Sequence, residues 1–133
     1  MKAAVPALLS TLLFLASCQT APAPIPADAT SEVYFQRAQA ASDQSNYDEA
    51  LGIYQDFLTK NPTADTESRF QARYEVALLL AKQGHDPEAR KDFEEILADY
   101  GNLDKSAGAP GWVKVLSEKK LNEIKDRMAK AKG

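Results

Sequence analysis

The amino-acid sequence predicts an all-α protein of about five helices: two helix-turn-helix pairs stacked side by side, with a last helix closing the stack. Three observations point that way. After residue 30, apolar residues recur at spacings of three and four, the period of a helix with one buried face. Gly, Pro, Asn and Asp interrupt those runs at helix-length intervals. Ala38, Ala41 and Ala50 are small where two antiparallel helices would cross, which allows approach at the low end of the roughly 8 to 10 Å interaxial range.

In chain order, residues 1–17 read as a secretion signal. Met1 and Lys2 precede an apolar run from Ala7 to Ala16, broken only by Ser10 and Thr11. That run is short of the roughly 20 residues a membrane span needs. Leu15-Ala16-Ser17-Cys18 resembles the lipobox of bacterial lipoproteins. The resemblance implies a diacylglyceryl group on the Cys18 thiol, cleavage before it and further acylation, palmitate included, of the new amine. Cys18 is the one cysteine, so no intramolecular disulfide can form, and lipidation explains a lone thiol in an oxidising compartment. Several acyl chains tether a protein stably without a spanning helix. Cleavage leaves 116 residues with a formal charge of −4. Gln19 in place of aspartate resembles the class held at the outer membrane, facing the periplasm. In residues 18–30, Pro22, Pro24 and Pro26 forbid helix and favour an extended tether, on the order of 35 Å at about 3.1 Å per residue.

Ser31 is expected to cap a first helix running to about Ser42, with Tyr34, Ala38 and Ala41 on one face. A turn over Asp43 to Asn46 leads into the second, where Asn46 and Glu49 have the spacing of a capping box. Ala50, Tyr54, Phe57 and Leu58 build its apolar stripe, Asp48, Gln55, Asp56 and Lys60 face away, and Pro62 stops it. The third helix spans Thr66 to Lys82 with Phe70, Tyr74, Ala77, Leu78, Leu80 and Ala81 apolar, and ends at Gly84. Asp86 caps the fourth, with Pro87 at its first position and Phe93, Ile96, Leu97 and Tyr100 supplying a face before Gly101. After a loop at 102–109, Pro110 to Lys130 reads as a closing helix bent near Ser117. It packs Trp112 and Leu116 on the second pair and turns its lysine-rich side to water.

Counted from Ser31 as position one, Tyr34, Ala38, Tyr47, Ala50, Tyr54 and Pro62 hold positions 4, 8, 17, 20, 24 and 32 of a 34-residue pattern. Counted from Phe70, Ala77, Gly84, Ala89, Phe93 and Ile96 hold positions 8, 15, 20, 24 and 27. The chain resembles the tetratricopeptide repeat (TPR) family in these residues, which implies an α-solenoid of two repeats over 31–101, with 102–133 as loop and cap. Arg37 and Ala41 depart from the pattern. Ala50 and Ala89 are five residues further apart than in a simple tandem, an excess assigned to a loop at Thr63 to Thr66.

A net charge of −3 and a pI near 5.2 exclude a nucleic-acid binder, which needs a concentrated basic surface. Lys114, Lys119, Lys120, Lys125, Arg127, Lys130 and Lys132 cluster late but are interrupted by Glu118, Glu123 and Asp126, as on a solvated helix face. His85, the sole histidine, falls in a turn, and no phosphate-loop, dinucleotide-binding, zinc-protease or nucleophile-elbow motif occurs. The expectation is no enzyme, no cofactor and no metal. What the resemblance implies instead is recognition of another envelope protein or peptide on the concave face. That face would comprise Glu32, Phe35, Gln36, Gln39, Ser42 and Asp43 from one helix and Gln71, Tyr74, Glu75, Leu78, Ala81 and Lys82 from another. Phe35, Tyr74 and Leu78 would offer an apolar strip to a docked helix. The resulting expectation is a membrane-anchored adaptor in the outer-membrane assembly or envelope maintenance class. A substrate-handling accessory of a transporter or cell-wall enzyme is the alternative, and the open end of the stack offers a route to homo-oligomers.

Overall fold

A computed structural model of the protein describes residues 23–104 and 107–133. The signal segment, Cys18 and the tether as far as residue 22 lie outside the described residues. Five helices and no strand make up the described chain: α1 (Ser31–Asp43), α2 (Tyr47–Lys60), α3 (Thr66–Lys82), α4 (Asp86–Asn102) and α5 (Gly111–Lys130). Consecutive helices pack on one another, and α5 also reaches back to α3. None is long and apolar enough to cross a membrane.

The apolar interior is divided into two cores, because α3 lies between the pairs and buries both sides. Ala72, Val76 and Leu79 enter a first core with Tyr34, Ala38, Ala50, Tyr54 and Phe57. Phe70, Tyr74 and Ala77 enter a second with Ala89, Phe93, Ile96, Val113, Leu121 and Ile124. A helix with two buried faces belongs in the middle of a stack, and Ala72, Val76 and Leu79 of the first face lie outside the apolar residues expected on α3. Ring pairs knit each core. Phe35 sits 5.5 Å from Tyr54 and 5.1 Å from Phe57, while Tyr74 sits 5.8 Å from Phe93 and 5.3 Å from Trp112, inside the range where edge and offset contacts are favourable.

The helix ends differ from expectation by a residue or so. Thr30, not Ser31, is the N-cap of α1. Asn46 is the N-cap of α2, but its amide Nδ2 donates to Glu49 Oε2 at 2.5 Å instead of its oxygen accepting from the backbone, so the capping box does not close. Asp65 caps α3 by accepting from Ser68 N at 2.8 Å. His85 takes the cap position of α4, placing Pro87 second in that helix, and α4 runs through Gly101 to Asn102. α5 is unbroken past Ser117 and starts at Gly111.

The two turns within the helix pairs, α1 to α2 and α3 to α4, share one geometry. Asn46 N donates to Ala41 O and His85 N to Leu80 O, both at 2.9 Å, closing the last helical turn. The left-handed residue is Ser45 (φ +61°) in the first turn and Gly84 (φ +82°) in the second. Two corrections bear on the ends of the stack. Residues 23–30 are not free spacer: Ile25 and Ala29 pack on the first core and Arg37 donates to Ala23 O. On α5 the buried seam is Val113, Ser117, Leu121 and Ile124; Trp112 does pack on the second pair, through Tyr74, but it and Leu116 lie beside that seam and remain 40% and 36% exposed.

Candidate functional site: the cleft between α1 and α3

The α1 to α2 turn and the longer α2 to α3 connection fix how far apart the first helices of the two repeats stand. Between α1 and α3 an open cleft of about 440 Å³ is lined by Phe35, Gln36, Gln39, Asp43, Gln71 and Glu75, with Tyr54 at its base. It continues past Phe35 and Gln71 into a second hollow of about 380 Å³ bordered by Glu32, Asp65, Glu67 and Ser68. No lysine or arginine lines either hollow. Gln39 Nε2 donates to Asp43 Oδ1 at 2.7 Å along one wall.

The carboxylates of this surface divide by position. At the rim, a hydrogen bond from Thr30 holds Glu32 below its usual range, and the Ser68 backbone and hydroxyl do the same for Asp65. Both are therefore ionised at neutral pH. At the base, burial pushes Glu75 up, opposed by the charge of Lys82. Burial, and then the neighbouring Glu75, push the Tyr54 phenol up as well. Glu75 is half-buried and no hydrogen bond reaches its carboxylate among the described residues. The cleft thus presents an acidic, amide-rich surface around one half-buried ring, Phe35.

Of the residues expected on the concave face, Glu32, Phe35, Gln36, Gln39, Asp43, Gln71 and Glu75 come together here. Tyr74 does not. It is only 5% exposed, because Trp112 covers it edge-on, the planes 85° apart. Leu78 is half-buried against the second core, so the expected strip of Phe35, Tyr74 and Leu78 does not form. Lys82 turns to the ring of Tyr47, its Nζ 5.3 Å from the centroid. Asp65, Glu67 and Ser68 also border the cleft, although the sequence pattern places Asp65 in the loop at Thr63 to Thr66 and gives Glu67 and Ser68 no part in the concave face. The cap spacing of Asp65 and Ser68 was the available signal, since it fixes where that helix begins.

The register explains why one gap is open and the other closed. Val113 and Ser117 are buried on α5 as Ala72 and Val76 are on α3. Trp112 and Leu116 therefore hold on α5 the places that Gln71 and Glu75 hold on α3. The tetratricopeptide repeat family matches residues 32–64 and 71–102. The chain carries two tetratricopeptide repeats. The matched stretches begin one residue after Ser31 and Phe70, the residues counted as position one, and α5 takes the place of the first helix of a third repeat. No curated protein and no solved structure matches the chain. Repeats of this kind are protein-interaction modules, and the α1/α3 cleft is an open hollow between the first helices of this pair.

Proposed function

We propose that this chain is a lipid-anchored interaction module of the bacterial envelope that grips a segment of another envelope protein in the α1/α3 cleft, and that it binds rather than catalyses. The observation carrying this reading is Glu75, a half-buried carboxylate without a hydrogen-bond donor at the base of an open groove. Glu75 and the rim carboxylates line the groove with no lysine or arginine among its lining residues, so the complementary segment carries a lysine, arginine or amide beside an apolar group that covers Phe35. A helix laid lengthwise along α1 and α3 fits the shape.

The anchor rests on Leu15-Ala16-Ser17-Cys18. With residues 23–30 laid on α1, the five steps from Cys18 to Ala23 reach at most about 18 Å. The repeats would then ride close to the lipid, at the outer membrane facing the periplasm. Two experiments test the two halves. Cys18→Ser should move the chain out of the membrane fraction. A photocrosslinker at Gln36 should capture a partner from the envelope, and Gln71→Trp with Glu75→Leu should abolish that capture while the chain stays helical. Undiminished capture by the closed variant contradicts the cleft reading.

A further inference from the structure

The charge of the described chain is divided along the stack. Residues 23–104 carry seven Lys and Arg against sixteen Asp and Glu, and residues 107–133 carry seven against three. The body is therefore strongly acidic and the closing helix basic. The basic helix is also where apolar surface is left uncovered. Trp112, Val115 and Leu116 are 40%, 61% and 36% exposed, at i, i+3 and i+4, where side chains of a helix are neighbours. Trp112 and Leu116 lie on the same side of the stack as the cleft, since Trp112 meets Tyr74 of α3 and α3 supplies Gln71 and Glu75 to the cleft. Lys119 and Lys120 follow one turn on, Lys119 exposed and Lys120 half-buried, its Nζ 2.8 Å from Glu123 Oε2.

One face thus bears an acidic cleft with a half-buried aromatic at one end and an apolar ridge with lysines at the other. A half-turn about an axis through the middle of such a face brings the ridge of each copy onto the cleft of the other. We infer that the chain forms a closed two-fold dimer through this face, with Trp112 and Leu116 of each copy seated against Phe35 of its partner and Lys119 and Lys120 beside the partner's Glu32 and Glu67.

The occupant is a second copy because the opposite charges and the paired apolar groups are both present on one chain. The contact is made twice and closes, so it gives a dimer and not a filament. The inference rests on the cleft being the recognition surface, and it names a resident occupant that another envelope protein would have to displace.

The test is sedimentation of the full chain in non-ionic detergent. The expected mass is that of a dimer at about 0.1 M salt, dissociating toward about 1 M, where the screening length falls from about 10 to about 3 Å. Lys119→Glu with Lys120→Glu should weaken association about tenfold or more, and so should Glu32→Lys with Glu67→Lys; a tenfold loss is about 1.4 kcal/mol. Lys119, Glu32 and Glu67 are exposed, whereas Lys120 also pairs with Glu123; unchanged helicity verifies the fold, and Lys119→Glu alone, which leaves that pair intact, should weaken association in the same direction. An equal mixture of the two variants should restore the dimer, because each then presents the charge the other lacks. A monomeric unaltered chain at low salt, or a dimer indifferent to both reversals, overturns the inference, and so does a mixture that stays monomeric. In the monomeric case the cleft reading stands or falls separately, on the Gln36 crosslink.

Discussion

Phe35 and Tyr74 occupy the same position in successive repeats and meet different fates. Both are aromatic, both sit on the first helix of a repeat, and both pack a ring of the second helix, Tyr54 and Phe93 respectively. The next helix decides the rest. Across from Tyr74, α5 offers Trp112 and Leu116, and the gap closes. Across from Phe35, α3 offers Gln71 and Glu75, and the gap stays open as the cleft. In this stack both helices of each repeat build the cores, whereas the choice between groove and core beside Phe35 and Tyr74 is made at two positions of the following helix.

The largest effects should come from the cores, where the regions behave alike. Phe57→Ala in the first and Phe93→Ala in the second should each cost about 3–5 kcal/mol, the range for deleting a buried ring. Because α3 contributes to both cores, each truncation should lower a single cooperative transition in urea. Two separate transitions would mean that the repeats fold independently.

Exchanging the deciding residues comes next. Trp112→Gln with Leu116→Glu should expose Tyr74 and cost about 1–3 kcal/mol, since both side chains are only part-covered. Gln71→Trp with Glu75→Leu should raise stability by covering Phe35 and removing a half-buried carboxylate. If urea titration shows the two exchanges shifting stability in the same direction, the comparison fails.

Two pH dependences of opposite sign sharpen it. Glu75 is held above its usual value by burial, so the folded state binds its proton more tightly than the unfolded chain does, and its cost develops as pH rises through the ordinary carboxylate range. Glu75→Gln should therefore raise the melting temperature at neutral pH and lose that advantage in acid. Asp86 lies on the other side of the ledger. Arg127 donates to it through Nε at 3.1 Å and Nη2 at 2.6 Å, holding it below its usual value, so the α4 to α5 tie is present at neutral pH and lost as pH falls through that lowered value. Asp86→Asn should destabilise at neutral pH and make little difference in strong acid. A melting series across that range checks both.

The smallest effect contrasts the two turns. Ser45 holds a left-handed conformation that Gly84 holds without a side chain, so Ser45→Gly should stabilise by up to about 1 kcal/mol and Gly84→Ala should cost about 1–2. Nothing crowds a Cβ at Gly84, so backbone conformation alone sets that cost.

Much of this fold was legible because helical period and turn residues are local. α3 was read at its observed bounds, and Tyr34, Ala50, Tyr54 and Phe93 were placed in cores that the structure buries. What local pattern could not supply was which of two adjacent residues on α5 faces inward. Trp112 and Leu116 have the same spacing as Val113 and Ser117, and hydrophobicity favoured the wrong pair, since a buried serine is small enough for close packing but does not look apolar. That one-residue offset moved Tyr74 from groove to core and made an apolar strip out of what is an acidic, amide-lined cleft.

Hydroxyl-radical footprinting of Phe35 and Tyr74, each corrected for its intrinsic reactivity, tests the central comparison most directly. Phe35 should be modified readily and Tyr74 protected, with the protection of Tyr74 lost in the Trp112→Gln, Leu116→Glu chain and Phe35 becoming protected in the Gln71→Trp, Glu75→Leu chain. Equal modification of the two rings in the unaltered chain would contradict the division of this face into an open cleft and a closed one.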